Sequence, residues 1–431
     1  MSLFKKKKLD NRACVIGLDG VPYGLLRDFM DRGVMSATRR LMDGGRLHRM
    51  KASLPEISSV SWSSFMTGTN PGTHGIFGFT DFKPGSYDIR FPNYSDLKAK
   101  PLWDILGEKG RRSIVINQPA TYPAREMNGI LVSGFVALDL ARAVTPRSLL
   151  QPLERAGYRI DIDTVKSREN TEFFWRDLSK TLSGRQKALN LFWKEEWDYF
   201  EFVITGTDRL HHYLWNAGAD PDHPHHRSFL EYYRRIDQLI DKIAVSFRKS
   251  TGGYDGLYLM SDHGFCGIET EVYLNVWLER EGYLSFSKPN PDSLNDIAME
   301  SRAFALDPNR IYLHLEKKFP RGSVAASERK ALIQEIAGRL AKLEWNGRKV
   351  VRKAFPARDI YSGPLTAQGP DLIVLGERGF DMKGSVKKTE IFGKSGLQGM
   401  HTWDDAFFWS VNDHGDDLAI EDLAGIILKR F

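Results

Sequence analysis

The chain has 431 residues, 42% of them hydrophobic, and a formal net charge of +6. This length is sufficient for a large core, in one big domain with an elaboration or in two domains. No run of about 18 apolar residues occurs, so we expect no transmembrane helix. The segment Lys5–Lys8 supplies most of the net charge, and we interpret it as a solvated tail, not as a nucleic-acid or membrane-binding arm.

The start of the chain lacks the pattern of a signal peptide, which needs a longer apolar core and a cleavage site of small residues. The two cysteines, Cys14 and Cys266, cannot form a disulfide framework, and a packing role is favoured for both. We therefore expect a cytoplasmic protein, with no membrane and no nucleic acid duplex bound. The oligomeric state is left open.

Apolar runs bounded by turn residues alternate with helical patterns along the chain. This alternation predicts an α/β fold with a mostly parallel central sheet and helices on both faces. The predicted strands are Ala13–Leu18, Ser113–Ile116, Ile130–Val132, Phe200–Thr205, Gly256–Met260 and Leu372–Leu375. The predicted helices are Gly24–Arg32, Lys100–Lys109, Glu172–Lys194, Ser228–Phe247 and Glu328–Leu343.

A different pattern occupies residues 285–390. The loop-like SKPNPDS is followed by the strand-like RIYLHL, a helix, and the strand-like KVVRKAF and DLIVLG. We expect a small α+β insertion, or cap, at 285–390, and a core formed by 1–284 and 391–431. The last strand of the insertion, Leu372–Leu375, could rejoin the main sheet.

Acidic and imidazole groups follow three of the predicted strands. Asp19 ends the first strand, Asp208 follows FEFVITG, and the pair Asp262–His263 ends GLYLMS. Ligands of open α/β sheets gather outside the carboxyl ends of strands, so these groups are expected at one edge. Mixed carboxylate and imidazole ligands suit Zn²⁺ and Mn²⁺ alike.

Three histidines near these carboxylates are candidate metal ligands. His212 is four residues after Asp208, so a helix would place both on one face, and His211 competes with it by geometry alone. Adjacent residues of a strand point to opposite faces, so Asp262 and its neighbouring histidine need a loop to reach one site. His401, in GMHTWDD, is also consistent with an ordinary hydrogen-bonded loop histidine.

A hydroxyl-rich stretch, LPEISSVSWSSFMTGTNPGTHG, lies between the first and second acidic motifs. The segment Val60–Thr67 predicts a helix that ends at Gly68, with serines just before it. Backbone N–H groups at a helix N-terminus stabilise phosphate, and a metal can lower the pKa of a serine hydroxyl. The alternative is that these serines only cap the helix.

Other histidines are set aside. The cluster in DPDHPHHR, which holds His223, His225 and His226, has the composition of an exposed loop. His74, in NPGTHG, is interpreted as a structural residue that holds the turn after the serine helix.

Taken together, the motifs resemble the alkaline phosphatase superfamily, and more closely its type I phosphodiesterase/nucleotide pyrophosphatase branch with phosphohydrolase or phosphomutase relatives. The similarity runs from Val15 to about Trp409 and includes the signature TG-x-x-P-x-x-HGI as TGTNPGTHGI, Thr67–Ile76. The sulfatase motif, x-Pro-x-Arg after the nucleophile, is absent after Ser58, which argues against sulfate esters. The resemblance implies an alkaline phosphatase-like fold.

The resemblance also implies a role for each site residue. Counted back from Thr67, the nucleophile falls on Ser58, with the adjacent Ser59 as the alternative. The implied ligands are Asp19, Asp262 and His263 for one metal and Asp208, His212 and His401 for the other, with Ser58 bridging or approaching both.

The activity implied is that of a two-metal phosphohydrolase that cleaves small-molecule phosphate esters through a phosphoserine intermediate. Phosphodiesters or nucleotide-type esters are favoured over monoesters, and the cofactors would be two divalent ions, Zn²⁺ or Mn²⁺. One alternative is a metal-dependent phosphomutase of the cofactor-independent phosphoglycerate mutase type. A non-enzymatic alternative is a phosphate-ligand sensor that keeps the fold, although the complete ligand set and the hydroxyl argue against it.

Overall fold

A computed structural model describes residues 11–431. The segment Lys5–Lys8, interpreted above as a solvated tail, lies outside the described residues. The strands are β1 Ala13–Leu18, β2 Arg46–Lys51, β3 Asp81–Phe82, β4 Ile89–Arg90, β5 Ser113–Gln118, β6 Gly129–Ser133, β7 Val144–Thr145, β8 Tyr199–Ile204, β9 Leu257–Met260, β10 Gly264–Gly267, β11 Thr270–Tyr273, β12 Ala303–Leu306, β13 Arg310–Leu313, β14 Glu344–Trp345, β15 Arg348–Lys349, β16 Val351–Pro356, β17 Leu372–Gly376, β18 Phe380–Lys383, β19 Phe392–Gly393, β20 Gly399–Thr402, β21 Ala406–Ser410 and β22 Leu418–Ala419.

The α-helices connect these strands and cover the sheets. They are α1 Tyr23–Asp31, α2 Ser36–Met42, α3 Ser58–Thr67, α4 Pro71–His74, α5 Leu102–Glu108, α6 Leu150–Ala156, α7 Thr164–Glu169, α8 Thr171–Phe192, α9 Gly206–Ala219, α10 His226–Thr251, α11 Leu274–Arg280, α12 Arg329–Leu340, α13 Ala357–Ile360 and α14 Asp422–Leu428. Within residues 11–431, none of these helices has both the length and the hydropathy that a bilayer crossing requires.

The central sheet has nine strands in the order β22-β2-β21-β9-β1-β8-β5-β6-β7. Its middle is parallel, because β1 pairs in parallel with β8 and β9, and β5 pairs in parallel with β8 and β6. The strand β21 enters antiparallel between β2 and β9. The predicted α/β class with a mostly parallel sheet is confirmed.

Each face of this sheet carries its own apolar layer. Along β1, Cys14 and Ile16 join the layer formed with α1, α2, α8, α9 and α10, whereas Ala13 and Val15 join the layer formed with α3, α5 and α14. Successive side chains of a strand point to opposite faces, so a strand covered on both sides has to be apolar at every position. This explains why the run Ala13–Leu18 is continuously hydrophobic.

A second, antiparallel sheet lies outside the central one, in the order β12-β13-β17-β16. The alternative that Leu372–Leu375 rejoins the main sheet is therefore wrong, because β17 pairs with β13 and β16. The apolar cluster under this sheet includes Phe82 and Trp277 as well as residues of the sheet itself. The division of the chain into a core and an insertion at residues 285–390 stays a proposal, because the apolar cluster under the second sheet includes residues from outside that range.

The helix α3 lies very close to β1. A Cβ atom at Gly17 would stand 2.5 Å from Cη2 of Trp62, a fully buried residue of α3. Only glycine allows this approach without a shift of the indole ring. The contact matters for the site because Trp62 and Asp19 lie next to one another, with indole Nε1 donating to Asp19 Oδ2 over 3.4 Å.

We predict that Gly17→Ala lowers the free energy of unfolding by about 1–3 kcal/mol, because the added methyl group overpacks the interface between β1 and α3. The matched control is Gly338→Ala in α12, where a Cβ meets nothing within 4 Å. That substitution should be neutral or stabilising by about 0.5–1 kcal/mol, since it raises helix propensity. Denaturant unfolding followed by circular dichroism measures both, and equal effects would contradict the close-approach explanation.

Candidate active site

The carboxyl ends of three adjacent parallel strands deliver the acidic residues to one place. Asp19 follows β1, Asp208 lies in the first turn of α9 after β8, and Asp262 follows β9. The turn after β1 depends on Gly20, which has a φ of +66° that favours glycine. The Gly20 N–H donates to Asp262 Oδ1 over 3.0 Å, so the turn ties two of the carboxylate segments together.

Strand pairing positions His401, the predicted ligand farthest along the chain. His401 lies on β20, opposite Phe265 of β10, so it belongs to a strand and not to a loop. Its Nε2 stands 3.1 Å from Asp208 Oδ1 and 3.0 Å from Nε2 of His212. The second predicted ligand set, Asp208, His212 and His401, is therefore contiguous.

Ser58 is the first residue of α3, two positions earlier than the helix start expected from the sequence. Its Oγ lies 3.3 Å from Asp19 Oδ1 and 3.2 Å from His263 Nε2. The Oγ of Ser59 is buried and has no hydrogen-bond partner within residues 11–431. The first backbone N–H groups of a helix have no partner inside it, so the Ser58 hydroxyl sits beside free donors.

Two groups of side chains are arranged so that each could hold a metal ion. Within each group, the potential ligand atoms lie within 4.8 Å of one another. Among the described residues, one group is Asp19, Asp262 and His263, and the other is Asp208, His263 and His401. His263 connects them, since its ring stacks on that of His401 with 3.8 Å between centroids. The seven residues predicted from the sequence are thus brought together in one site.

The imidazoles are held in the orientation that metal binding requires. The Nδ1 atoms lie next to backbone carbonyls, 2.9 Å from Gly399 for His212, 3.0 Å from Gly264 for His263 and 2.8 Å from Glu56 for His401. A carbonyl oxygen only accepts, so each Nδ1 carries the proton and each Nε2 presents its lone pair to the site. Such outer contacts fix the ring and the tautomer of metal-binding histidines.

The carboxylates experience strong and opposing electrostatic effects. Burial and the charges of Asp262 and Asp208 hold the pKa of Asp19 well above its usual range. Burial also raises the pKa of Asp262 to about 8. For Asp208 the effect of burial is outweighed by His212, His401 and Arg209, which keep its pKa well below the usual range.

The site therefore fits divalent cations. Asp262 Oδ2 is buried and has no hydrogen-bond partner among residues 11–431, although a buried carboxylate oxygen is costly to leave unpaired. A cation at this position would satisfy that oxygen and relieve the repulsion between the clustered carboxylates. Burial and the neighbouring His263 lower the pKa of His401 to about 3, so this ligand is neutral at physiological pH, as metal binding requires.

The competing histidines have other roles. Both ring nitrogens of His211 are occupied, Nδ1 by the Gly20 carbonyl at 2.9 Å and Nε2 by the Tyr233 hydroxyl at 2.7 Å. His74 accepts from the Ile76 N–H and contacts the Ser64 hydroxyl, in keeping with its structural interpretation. Within residues 11–431, the cluster His223, His225 and His226 is not among the groups able to hold a metal.

Two further site residues were missed by the sequence reasoning. Arg209 directly follows Asp208, and its Nη1 lies 3.3 Å from Asp208 Oδ2 while its Nη2 lies 2.6 Å from Asp161 Oδ2. Glu56 is buried two residues before Ser58 and supplies the carbonyl that orients His401. Their proximity to predicted ligands in the sequence was the available signal, but neither belongs to a ligand pattern.

The family model for type I phosphodiesterase/nucleotide pyrophosphatase matches residues 13–404. The chain belongs to this family. It is accordingly a phosphoester hydrolase, and the resemblance read from the motifs is confirmed. Membership also argues against the phosphate-sensor alternative. A comparison with curated proteins finds no match.

Solved structures show the same fold at low sequence identity. Phosphonoacetate hydrolase from Sinorhizobium meliloti 1021, in complex with phosphonoformate, is 15% identical with a TM-score of 0.65, over 98% of this chain and 96% of that one. Murine ectonucleotide pyrophosphatase/phosphodiesterase 5 is 11% identical with a TM-score of 0.55, over 97% and 94% of the two chains. The human form of the latter is 12% identical with a TM-score of 0.53, over 97% and 94%.

We predict that the affinity for Mn²⁺ falls as the pH is lowered from about 8.5 to 6.5. Below its pKa of about 8, Asp262 holds a proton that the cation must displace, which weakens binding by about tenfold per pH unit for each proton displaced. Chelator competition at several pH values measures this slope. Asp262→Asn removes one titrating carboxylate and should make the slope shallower, with Asp19 still contributing because its pKa is also raised. An unchanged slope in this variant would contradict the assignment.

Proposed function

We propose that this chain is a two-metal phosphohydrolase that cleaves phosphate esters, phosphodiesters or nucleotide-type esters above all, through a phosphoserine intermediate. One observation carries the proposal: the Ser58 hydroxyl, at the start of a helix, lies 3.3 Å from Asp19 and 3.2 Å from His263, the histidine that both candidate ligand groups share. A hydroxyl, free helix N–H groups and paired ligand sets are the parts that this chemistry needs.

Each ligand group has an assigned role in the proposal. Asp19, Asp262 and His263 would hold one divalent ion with Ser58, and Asp208, His212 and His401 would hold the other. Two such ions, Zn²⁺ or Mn²⁺, supply positive charge that lowers the pKa of a bound hydroxyl and stabilises the oxygens around phosphorus. Arg209 would keep Asp208 ionised and in place through its contact with Asp161.

The reaction proceeds in two displacements at phosphorus. Ser58 Oγ forms a bond to phosphorus while the ester P–O bond breaks, and the alcohol leaves with a proton. A water molecule then attacks the phosphoserine, which restores the Ser58 hydroxyl and releases phosphate, or a phosphate monoester from a diester. The backbone N–H groups of Ser58 and Ser59 would donate to a phosphoryl oxygen during both steps.

A phosphomutase is the second candidate, and one observation favours it. The second sheet and its neighbouring strands supply Asn309 and Lys383 to a pocket that His212 and His401 also line. A pocket beside the candidate metal ligands can hold a product while the phosphoryl group returns to another hydroxyl. The same protein residues serve both reactions, which differ in whether water or a substrate hydroxyl attacks the phosphoserine.

We predict that Ser58→Ala lowers the turnover of an activated aryl phosphate ester by at least ~10³-fold, because the atom that attacks phosphorus is lost. The Asp and His ligands are unchanged, so elemental analysis should find nearly the same metal content as in the unsubstituted protein. Ser59→Ala is the matched control, since this neighbouring hydroxyl contacts neither Asp19 nor His263. An inactive Ser59→Ala protein together with an active Ser58→Ala protein would move the nucleophile by one residue.

We predict that label from the phosphoryl group of a donor ester appears mainly in free phosphate, or in the released monoester when the donor is a diester. Chromatography of the products from a hexose phosphate or a diester, labelled on phosphorus, measures the distribution. Label found mainly in an isomeric ester would overturn the hydrolase in favour of the phosphomutase. Ser58→Ala should abolish either outcome.

A further inference from the structure

A small pocket opens beside the candidate metal ligands His212 and His401. Its volume is about 240 Å³, below the range of about 300–1,000 Å³ that is usual for drug-sized ligands. The core supplies Glu56 and Phe79 to its wall, and the region of the second sheet supplies polar groups around Asn309 and Lys383. A small molecule held at the metal ligands would therefore extend toward residues that play no part in the proposed chemistry.

Asn309 lines this pocket and carries a buried acceptor. The residue is 2% exposed, and its Nδ2 donates to Glu56 Oε2 over 3.0 Å. A carboxylate accepts hydrogen bonds, so the amide is oriented with Nδ2 toward Glu56. The other amide atom, Oδ1, has no hydrogen-bond partner within residues 11–431. Leaving such an acceptor unpaired is unfavourable, and a ligand with a hydrogen-bond donor would satisfy it.

The turn that carries Asn309 is firmly held. Asn309 lies between β12 and β13 with a φ of +43°, in the left-handed region that asparagine tolerates. The buried guanidinium of Arg310 donates to the Thr80 carbonyl over 2.9 Å and to the Asp307 carbonyl. The position of the unpaired amide oxygen is therefore built into the fold.

The rest of the polar wall combines a donor with acceptors. Lys383, on β18, lies 2.7 Å from Asp381 Oδ2. Asp307 and Glu56 also line the pocket, so three carboxyl groups surround one ammonium group. Apolar surface completes the wall, contributed by Phe79, Phe380 and Met382.

This combination distinguishes between classes of ligand. A second anionic group on the substrate would meet the excess of carboxyl groups. The charged groups of the wall already have partners in the protein, Lys383 with Asp381 and Glu56 with Asn309, so the wall offers hydrogen-bonding groups more than free charge. A hydroxyl group both donates and accepts, so it can pair with Asn309 Oδ1, with the carboxylates and with the ammonium group. The aromatic and methionine side chains would cover the carbon skeleton between the hydroxyls.

We propose that this pocket binds the alcohol portion of the ester and selects an uncharged, polyhydroxylated alcohol, such as a small polyol or a monosaccharide. The proposal rests on the phosphohydrolase function proposed above. Asn309 and Lys383 act as specificity-determining residues, which places substrate selection on the region of the second sheet, apart from the residues assigned to phosphoryl chemistry.

The test compares kcat/KM for a hexose or glycerol phosphate ester with kcat/KM for p-nitrophenyl phosphate. Lys383→Met and, separately, Asn309→Gly should lower the ratio of the two values at least ~10-fold, because they remove groups that only a hydroxylated alcohol uses. Glycine tolerates the positive φ at position 309. Lys288→Met is the matched control, an exposed lysine 2.6 Å from Asp292 in the same region, and should change the ratio less than about twofold.

Three outcomes would overturn the proposal. The first is an unsubstituted protein that prefers a glycerate or choline phosphate ester over the hexose ester. The second is a fall of equal size for the hexose and aryl esters in both pocket variants, with normal circular dichroism spectra. The third is a ratio that both variants leave unchanged.

If the proposed phosphohydrolase function is wrong, the metal-loaded protein turns over neither ester. In that case calorimetric titration of the metal-loaded protein compares hexose phosphate with inorganic phosphate. Tighter binding of hexose phosphate that Lys383→Met abolishes would support the pocket assignment, and equal binding of both would overturn it.

Discussion

The structure around the candidate site depends on the burial of three aspartates whose charges act on one another. Asp19, Asp208 and Asp262 are each at most 5% exposed. Clustered buried carboxylates repel one another and lose hydration, which is the reason that the pKa values of Asp19 and Asp262 are raised. Imidazole lone pairs surround them, and Asp262 Oδ2 is buried without a hydrogen-bond partner among residues 11–431, so the site fits divalent cations.

The fold keeps this arrangement in place through long-range backbone contacts. Three imidazoles donate from Nδ1 to backbone carbonyls. The carbonyls that accept from His212 and His401 belong to Gly399 and Glu56, which are distant from them in sequence. The close contact between Gly17 and Trp62 sets the distance from β1 to the helix that begins at Ser58. The hydroxyl, the carboxylates and the imidazoles are therefore positioned by separate elements that share one sheet edge, as is usual for open α/β folds.

The central sheet and the second sheet contribute different parts of the site. The three aspartates follow strands of the central sheet, whereas His401 lies on β20, which pairs with β10 outside that sheet. The region of the second sheet provides part of the wall of the neighbouring pocket. This division resembles the general separation of a conserved reaction centre from variable loops that select substrates. The low identities to solved structures of the same fold, 15% and 11%, agree with a shared scaffold around which other surfaces have changed.

The sequence alone determined the mostly parallel sheet and a helix at the hydroxyl-rich stretch, because continuous apolar strands and helical patterns are local properties. The sequence also supplied the acidic and histidine-bearing motifs as candidates, whose roles were assigned through the family resemblance. It could not choose between His211 and His212, since both lie near the same helix face. That choice was decided by Gly20 and Tyr233, which occupy both nitrogens of His211. Nor could it place His401 on a strand or Asn309 against Glu56, 253 residues away. Those contacts join distant segments, and only tertiary packing brings their atoms within hydrogen-bond distance.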